Sequence, residues 1–448
     1  MIGTFRKHLL VQRGLGLSAL VAGLSVAPSV SALELAAATE LGARYNTNAR
    51  RSTTSEDADV RYSPAFTLDA IHDGNGISMA ANYRLERRLF QEDFFDDQDR
   101  LTGYANINWA PLVDRFDVRV TQNRAETTRQ SFGRGAQDDR QIISSTEAAP
   151  RLRFQVRDSD ELQLLYTYTD THSDDEDIDN QRQSATARYR YGISQDFNLT
   201  LSATRGETEY EFEGVPKIDF TTYQATIDYE RGRNLVTITG GESTFEREGQ
   251  PDTKGPIWNV RWRSDISANS AFSAGVSRAI TDRSQELLDV DSRDYEELGF
   301  TNSDLTDIFQ SDIAYLEFSR SFGATNGRIR LEQAESDFER VPRDEKSQSA
   351  TISATRLIRR ELEGRLSLSY NKVTYRQLPT DFDQLRLEAS ALWDVNRRFE
   401  TEGGVFMMKR NGRGAAGDFD DFGFFLIARY FFAGQNGLTD DRQTGGLR

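Results

Sequence analysis

The feature that most constrains this chain is the alternation of apolar and polar residues with a period of two. In residues 197–204 (FNLTLSAT) every second residue is apolar and the residues between them are polar. The same period returns at 272–276, 329–331, 366–370 and 385–391, and no comparable stretch has helical spacing. Segments of about 10 to 14 residues with this pattern predict β-strands that have one apolar face.

Hydropathy limits how such strands can meet a membrane. Beyond residues 1–32 no apolar run approaches the roughly 18 residues of a transmembrane helix, and the mean hydropathy of −0.63 excludes a helical membrane protein. A transmembrane β-barrel remains possible because only alternate residues of its strands face lipid. The chain contains no cysteine, which excludes disulfides, thiol chemistry and thiolate metal sites.

The first residues have the pattern of a secretory signal peptide. Arg6, Lys7 and Arg13 precede an apolar stretch at 15–27, and residues 30–32 (VSA) are small enough for signal peptidase cleavage. We therefore expect residues 1–32 to be removed and the mature chain to begin at Leu33. The alternative, a membrane anchor, would need an apolar run of about 20 residues.

Charge excludes one class of partner. Removal of the three basic residues in the signal peptide leaves 52 basic residues against 71 acidic ones, a net charge of about −19. Such a chain repels nucleic acid, and no basic groove with interleaved aromatic residues is present. We predict no nucleic-acid partner.

Short and long connections tend to alternate between the predicted strands. The short ones include 69–75, 111–114, 157–160, 192–196, 232–234, 267–270 and 394–396. The long ones include 47–59, 91–97, 129–140, 173–180, 286–308 and 411–417. In outer-membrane barrels short turns are periplasmic and long loops are extracellular.

This organisation predicts an all-β fold over residues 33–432. It would be a transmembrane, antiparallel up-and-down β-barrel of roughly 16–20 strands, with short periplasmic turns, long extracellular loops and a water-filled lumen. We expect it in the outer membrane of a Gram-negative-type bacterium. A soluble β-sandwich or propeller is the alternative, but it would not need turns and loops at opposite ends.

Aromatic residues mark the predicted membrane boundary and the end of the barrel. Aromatic rings favour the interface between membrane and water. We therefore predict a periplasmic aromatic girdle beside the short turns, formed by Trp109, Phe116, Tyr191, Phe197, Phe272, Phe322, Trp393 and Phe399. The last predicted strand, 422–432 (FGFFLIARYFF), resembles the C-terminal signal that the barrel-assembly machinery recognises. The polar residues 433–448 are expected to form a disordered periplasmic tail.

Arginines and carboxylates alternate with apolar residues in several of these strands. The mature chain has only five lysines, so nearly all of its basic residues are arginine. If the apolar residues face lipid, the lumen is lined by Asp117, Arg119, Arg188, Arg190, Arg261, Arg263, Arg328, Arg330, Glu332, Glu363, Arg365, Arg386 and Glu388. Such pairs would stiffen the wall through guanidinium–carboxylate contacts, or would form a polar track for a sugar or an anionic polymer.

Three local patterns contain residue types that occur in catalytic or binding sites. The string GRGAAG at 412–417 matches G-x-G-x-x-G, but it lies between predicted strands, whereas a dinucleotide site needs a strand leading into a helix. The cluster from Asp170 to Asp179, with His172, is compatible with a protease-like Asp/His pair, a divalent-cation site or a solvated acidic loop. His72 is expected in a turn, and no serine completes a triad. No catalytic residue, metal site or cofactor is predicted.

The longest interruption of the strand pattern is residues 286–308. This segment is rich in Asp and Glu with interspersed Leu and Tyr. Two arrangements are open: the segment folds inward and narrows the pore, or it lies over the outside of the mouth.

In its overall sequence pattern the mature chain resembles the β-barrel porin-2-type outer-membrane proteins of bacterial exopolysaccharide and exosortase systems. The resemblance lies in the opening strand LELAAATELGARYNTN from Leu33, the Arg/Glu-patterned strands, GPIWNVRW from Gly255 and the aromatic closing strand. It implies polysaccharide export or surface display, and it defines no functional residue.

Three classes of function remain for such a barrel. They are a porin-like channel or exporter for a hydrophilic solute, a structural or docking component of a cell-surface assembly, and a hydrolase at the surface rim. The partners expected are outer-membrane lipid and lipopolysaccharide, the barrel-assembly machinery, and polysaccharide export components.

Overall fold

The computed structural model describes residues 33–53, 57–128, 140–174, 179–211, 215–282, 307–340 and 342–432, and its strands form one 20-stranded antiparallel sheet. Each strand pairs with its neighbours in sequence, and the first strand pairs with the last, so the sheet closes into an up-and-down barrel. The predicted fold class is confirmed, at the upper end of the predicted strand count. The predicted signal peptide and the predicted tail at 433–448 lie outside the described residues.

The strands follow one another along the chain with similar lengths. They are β1 (Glu34–Asn46), β2 (Asp59–Gly74), β3 (Ile77–Phe90), β4 (Gln98–Leu112), β5 (Phe116–Thr128), β6 (Arg140–Arg157), β7 (Asp160–Ser173), β8 (Asn180–Ser194), β9 (Phe197–Tyr210), β10 (Ile218–Arg231), β11 (Asn234–Arg247), β12 (Thr253–Ser267), β13 (Ser270–Asp282), β14 (Ile308–Phe322), β15 (Thr325–Phe338), β16 (Glu345–Arg359), β17 (Leu362–Tyr375), β18 (Asp381–Asn396), β19 (Phe399–Gly412) and β20 (Phe419–Phe431).

The outer face of the barrel carries the apolar half of the alternation. Leu41, Phe66, Leu201, Leu331 and Phe424 are all exposed, although each is a large apolar side chain. Such a surface is unfavourable in water and is stable against lipid, where a closed sheet leaves no backbone group unpaired. The chain is therefore an outer-membrane β-barrel protein.

Part of the predicted aromatic girdle also lies on this exposed surface. Trp109, Tyr191, Phe322 and Trp393 are exposed and lie near the short-turn ends of their strands. This is the position in which an aromatic ring contacts both lipid and water.

The turn between β2 and β3 is shorter than the sequence analysis predicted. The proposed turn at 69–75 is wrong in extent, because β2 continues to Gly74 and the hairpin closes at Asn75 and Gly76. Gly76 has a φ of 88°, which glycine adopts without a steric penalty. His72 is consequently a strand residue opposite Met79, and not a turn residue.

At the opposite end of the barrel, aspartates close several of the longer loops. In each case an aspartate lies just before a strand or at its first residue. Its side-chain carboxylate accepts a hydrogen bond from the backbone N–H of the last residue of the preceding strand. The pairs are Ser173 with Asp179 (2.8 Å), Phe338 with Asp344 (3.1 Å), Tyr375 with Asp381 (3.2 Å) and Gly412 with Asp418 (2.6 Å). These bonds satisfy donors that would otherwise end the ladder unpaired.

The same aspartates join neighbouring hairpins. The backbone carbonyl of Asp344 accepts from the amide of Arg376 at 2.9 Å, and that of Asp381 accepts from the amide of Arg413 at 2.7 Å. One residue thus closes its own loop through its side chain and holds the next loop through its backbone. Asp344 and Asp381 therefore connect consecutive loops at this end of the barrel.

Helical structure in the described residues is limited to a 3-10 turn at Gly414–Ala416, between β19 and β20. The G-x-G-x-x-G string at 412–417 lies here, so it leads from a strand into a strand. None of the described residues belongs to a helix that is long and apolar enough to cross a membrane.

The closing contact between β1 and β20 is reinforced by charge. Arg429 lies directly opposite Glu40 on one side and Glu400 on the other, and it donates to both carboxylates, with a Nε–Oε1 distance of 3.0 Å to Glu40. Glu40 is 6% exposed and Glu400 is 1% exposed. Arg84 continues the network, since its guanidinium lies 3.4 Å from Glu40 and 2.9 Å from Glu86. Two arginines and three carboxylates therefore form one ionic network that extends from the closing contact to β3.

We predict that Arg429→Ala lowers the free energy of unfolding by about 3 kcal/mol, because removing one partner leaves buried carboxylates undercompensated. Urea titration of the barrel in detergent micelles, followed by tryptophan fluorescence, measures this change. Arg356→Gln is the matched control, since Arg356 lies on the same outward face as Ile352 and is exposed. Equal stability of R429A and the parent barrel would show that the network does not stabilise closure.

Candidate functional site

The face of the barrel wall opposite the apolar outer face is here called the charged face. Arg328 and Arg330 belong to it because they alternate along β15 with Ile329 and Leu331, which are 44% and 48% exposed on the outer face. By the same alternation it includes the other residues that the sequence predicted for the lumen: Asp117, Arg119, Arg188, Arg190, Arg261, Arg263, Glu332, Glu363, Arg365, Arg386 and Glu388.

On β14 and β15 the charged face carries one tight ionic cluster. Glu317 accepts from Arg328 at 2.7 Å and from Arg330 at 3.3 Å, and Arg330 also contacts Glu332 at 2.5 Å. The Arg330 guanidinium lies 4.8 Å from the ring centroid of Tyr315. Arg330 is thus held by two carboxylates and an aromatic ring, which fixes its planar fork.

The wall from β17 to β19 carries further ion pairs. Arg365 contacts Glu363 at 2.6 Å and lies 3.8 Å from Glu402, and Arg386 contacts Glu388 at 3.3 Å. These side chains are partly exposed, so their pairs contribute little to stability. This part of the wall therefore carries both guanidinium and carboxylate groups that are partly exposed.

Asp117 on β5 is the most buried of the predicted residues, at 3% exposure. It accepts two bonds from Arg151, at 3.2 and 3.0 Å, and lies 2.8 Å from Arg153. Arg119 next to it contacts Glu147 at 3.3 Å. Arg151, Arg153 and Glu147 are not evident from the sequence, because only the register of β5 against β6, with Arg151 opposite Asp117, brings them beside Asp117 and Arg119.

Three predicted arginines differ from the rest. Arg188, Arg190 and Arg261 are exposed and have no carboxylate within ion-pair distance among the described residues. Glu161 lies opposite Arg190 in the sheet, but its carboxylate accepts from the amide of Gln163. Arg263, near Arg261 on β12, contacts Asp265 at 3.4 Å. The three guanidiniums are therefore available to an anion.

At the loop end, a buried contact connects distant strands. Arg182 on β8 donates to Asp282 at the end of β13 at 2.6 Å and to Thr208 at 3.2 Å, and it lies 4.1 Å above the ring of Phe220. Strands β9 to β12 separate β8 from β13. The Arg182–Asp282 contact consequently bridges the barrel, rather than joining neighbours in the wall.

A second arginine holds the start of β14 in the same region. Arg247 at the end of β11 lies 3.4 Å from Asp307 and 3.4 Å from Glu339. Both Asp307 and Ile308 are almost fully buried. An apolar cluster surrounds these contacts, formed by Tyr210, Ile218, Phe220, Phe245, Ile257, Ile280 and Ile308.

These contacts bear on the segment predicted to enter or to cover the pore. Residues 283–306 lie outside the described residues, so the position of most of the 286–308 segment is not part of the described fold. Its two flanks are described, and both Asp282 and Asp307 are buried against arginines from other strands. The flanks are thus clamped within the mouth.

His172 lies at the outer rim of β7, between two carboxylates. Its Nε2 is 2.9 Å from Asp170 and its Nδ1 is 3.0 Å from Asp179. Both nitrogens must carry a proton to donate to two carboxylates, and such a ring has no lone pair with which to act as a base. Among the described residues, no group of three or more His, Cys, Asp or Glu side chains is suited to hold a metal ion. Residues 175–178 of the acidic loop are not among the described residues.

Comparison with known proteins finds similar barrels among solved structures and no relative in sequence. The sequence matches no known protein-family model and no curated protein. Among solved structures, the barrel is similar to the siderophore receptor PirA from Pseudomonas aeruginosa (9% identity, TM-score 0.47, covering 90% of this chain and 81% of that one). It is also similar to the closed form of the ferric-catecholate import receptor Fiu from E. coli (8%, 0.49, 90% and 82%) and to the copper transporter OprC (10%, 0.47, 90% and 81%). At this identity the likeness concerns the barrel fold alone.

We predict that Arg182→Ala and Asp282→Ala are coupled by about 2 kcal/mol in a double-mutant cycle, since the pair is buried. Unfolding in urea of the two single variants, the double variant and the parent measures the coupling. Lys254 and Glu242, 2.8 Å apart and half exposed, provide the control pair, with an expected coupling under about 1 kcal/mol. Additive effects at 182 and 282 would contradict a clamp across the barrel.

Proposed function

We propose that this protein is an outer-membrane channel for hydrophilic anionic solutes, and that the charged face lines its lumen. The proposal is carried by Arg188, Arg190 and Arg261, which are exposed on that face and have no carboxylate partner among the described residues. A barrel of 20 strands has room for a water-filled lumen, since barrels of about 16 to 18 strands already form aqueous channels.

The position of the three arginines supports transport of an anion. Each lies nearer to the short-turn end of its strand than to the loop end. In outer-membrane barrels the short turns face the periplasm. A solute entering from the periplasm would therefore meet unpaired guanidiniums, which bind carboxylate and phosphate groups through parallel hydrogen bonds.

The rest of the charged face would serve the wall itself. Arg330 with Glu317 and Glu332, and Asp117 with Arg151, hold opposite charges in fixed contacts. These pairs leave little net field, so selectivity would depend on the arginines without partners.

A segment of an acidic polysaccharide is the solute that we propose. It is a hydrophilic chain with repeated carboxylates, which suits successive arginines along a lumen. The resemblance to barrels of exopolysaccharide systems favours the same class of solute. The rim histidine, with both nitrogens occupied by carboxylates, gives no support to a hydrolase.

We predict that the purified barrel in a planar lipid bilayer conducts and prefers anions to cations. The triple variant R188Q/R190Q/R261Q should lower the anion-to-cation permeability ratio by about twofold or more, because it removes fixed positive charge from the lumen. The shift of the reversal potential in a salt gradient measures this ratio.

Arg356→Gln is the matched control for this experiment, because Arg356 is an exposed arginine on the outward face. It should leave the reversal potential unchanged. A bilayer that stays sealed would overturn the channel. Conductance with equal permeability ratios in the parent and the triple variant would overturn the role of the three arginines.

A further inference from the structure

The apolar outer surface of the barrel is interrupted by a groove of about 560 Å³ across β5 to β10. Its volume lies in the range of pockets that hold small ligands, about 300 to 1,000 Å³. The groove opens outward, toward lipid, because its walls include Leu164 and Tyr223, which are exposed on the outer face. It is therefore distinct from the charged face inside the barrel.

The groove results from small residues that the register brings together. Ala187 on β8 and Ala203 on β9 are directly opposite each other, and the row continues to Leu164 on one side and to Tyr223 on the other. Two methyl groups thus lie between two large side chains. Ala185, opposite Tyr166 in the next outward row, extends this floor toward the loop end.

An arginine lies where the groove meets the loop end of the barrel. Arg205 is directly opposite Ala185 and lines the groove. It is the first charged residue on the outward face of β9, after the apolar positions Phe197, Leu199, Leu201 and Ala203. This places its guanidinium near the boundary between lipid tails and headgroups, where long basic side chains extend toward the interface.

No protein carboxylate neutralises Arg205 within the described residues. Glu207, two residues farther along the same face, is held by Lys217. An exposed, unpaired guanidinium beside an apolar trough is complementary to a molecule that combines an anionic head with a hydrocarbon tail.

We propose that this groove binds one acyl chain of an outer-leaflet lipid, whose headgroup phosphate lies against Arg205. The alanine floor receives the chain, Leu164, Tyr166 and Tyr223 border it, and the guanidinium donates to the phosphate oxygens. The site lies outside the barrel and does not depend on the proposed channel activity.

A second groove on the outer face is also apolar but has no arginine in its lining. It has a volume of about 450 Å³ and crosses β12 to β16, with Ala274 and Ala314 as small residues and Trp262 as a large one. Its polar end carries Gln333 and Gln348, and no arginine lines it. It should accept lipid tails without preference for a phosphate, which makes it an internal control.

The test is native mass spectrometry of the full barrel in detergent, incubated with bisphosphorylated lipid A or with the same lipid after enzymatic removal of its phosphates. The parent barrel should retain one phosphorylated lipid at least fivefold more than the dephosphorylated lipid. Arg205→Gln should remove this preference, and Arg205→Lys should keep part of it. Ala203→Trp should fill the trough and lower retention of the phosphorylated lipid, whereas Ala314→Trp, in the second groove, should leave the preference for the phosphorylated lipid unchanged.

Two results would overturn the site. Equal retention of both lipids by the parent barrel and by R205Q would show only the nonspecific lipid that surrounds any barrel. Complete displacement of the lipid by millimolar inorganic phosphate would show an anion site without an acyl component. Heat-modifiable mobility in gel electrophoresis checks that each variant is folded, and Ala187→Phe replaces A203W if that variant fails.

Discussion

Closure of the sheet is the constraint on which the rest of this molecule depends. Lipid offers no hydrogen-bond partner, so every backbone group of a spanning strand must pair with another strand. Here β1 and β20 supply the last pairing, from Ala38 with Phe431 to Asn46 with Gly423. Arg429 strengthens this pairing, because it is opposite a buried carboxylate on each side. An open edge in its place would be a site of aggregation.

Closure also divides the side chains into two environments. One face meets lipid and is apolar, and two grooves interrupt it, one of them beside Arg205. The other carries arginines and carboxylates, mostly in pairs that hold the wall. At the loop end, Arg182 and Arg247 clamp Asp282 and Asp307 against the apolar cluster around Phe220. Transport and lipid binding, as proposed here, would thus use opposite faces of the same strands.

Much of the fold was predictable because alternation and turn chemistry are local. The closing strand expected at 422–432 corresponds to β20, and the predicted range of strand number included the observed one. The turn expected at 69–75 is misplaced, because Asp69 and Asp73 are polar residues of the β-ladder and Asn75–Gly76 alone makes the turn.

The sequence by itself determined that alternate residues face two solvents and that the strands are too polar for any membrane structure other than a barrel. It also indicated which arginines share a face. It could not determine which of them are neutralised, since the partners of Asp117 depend on the register of β5 against β6. The contact of Arg182 with Asp282, 100 residues away, exists only because closure brings β8 and β13 around a common interior. Local pattern decides the face of a residue, and tertiary structure decides its neighbours.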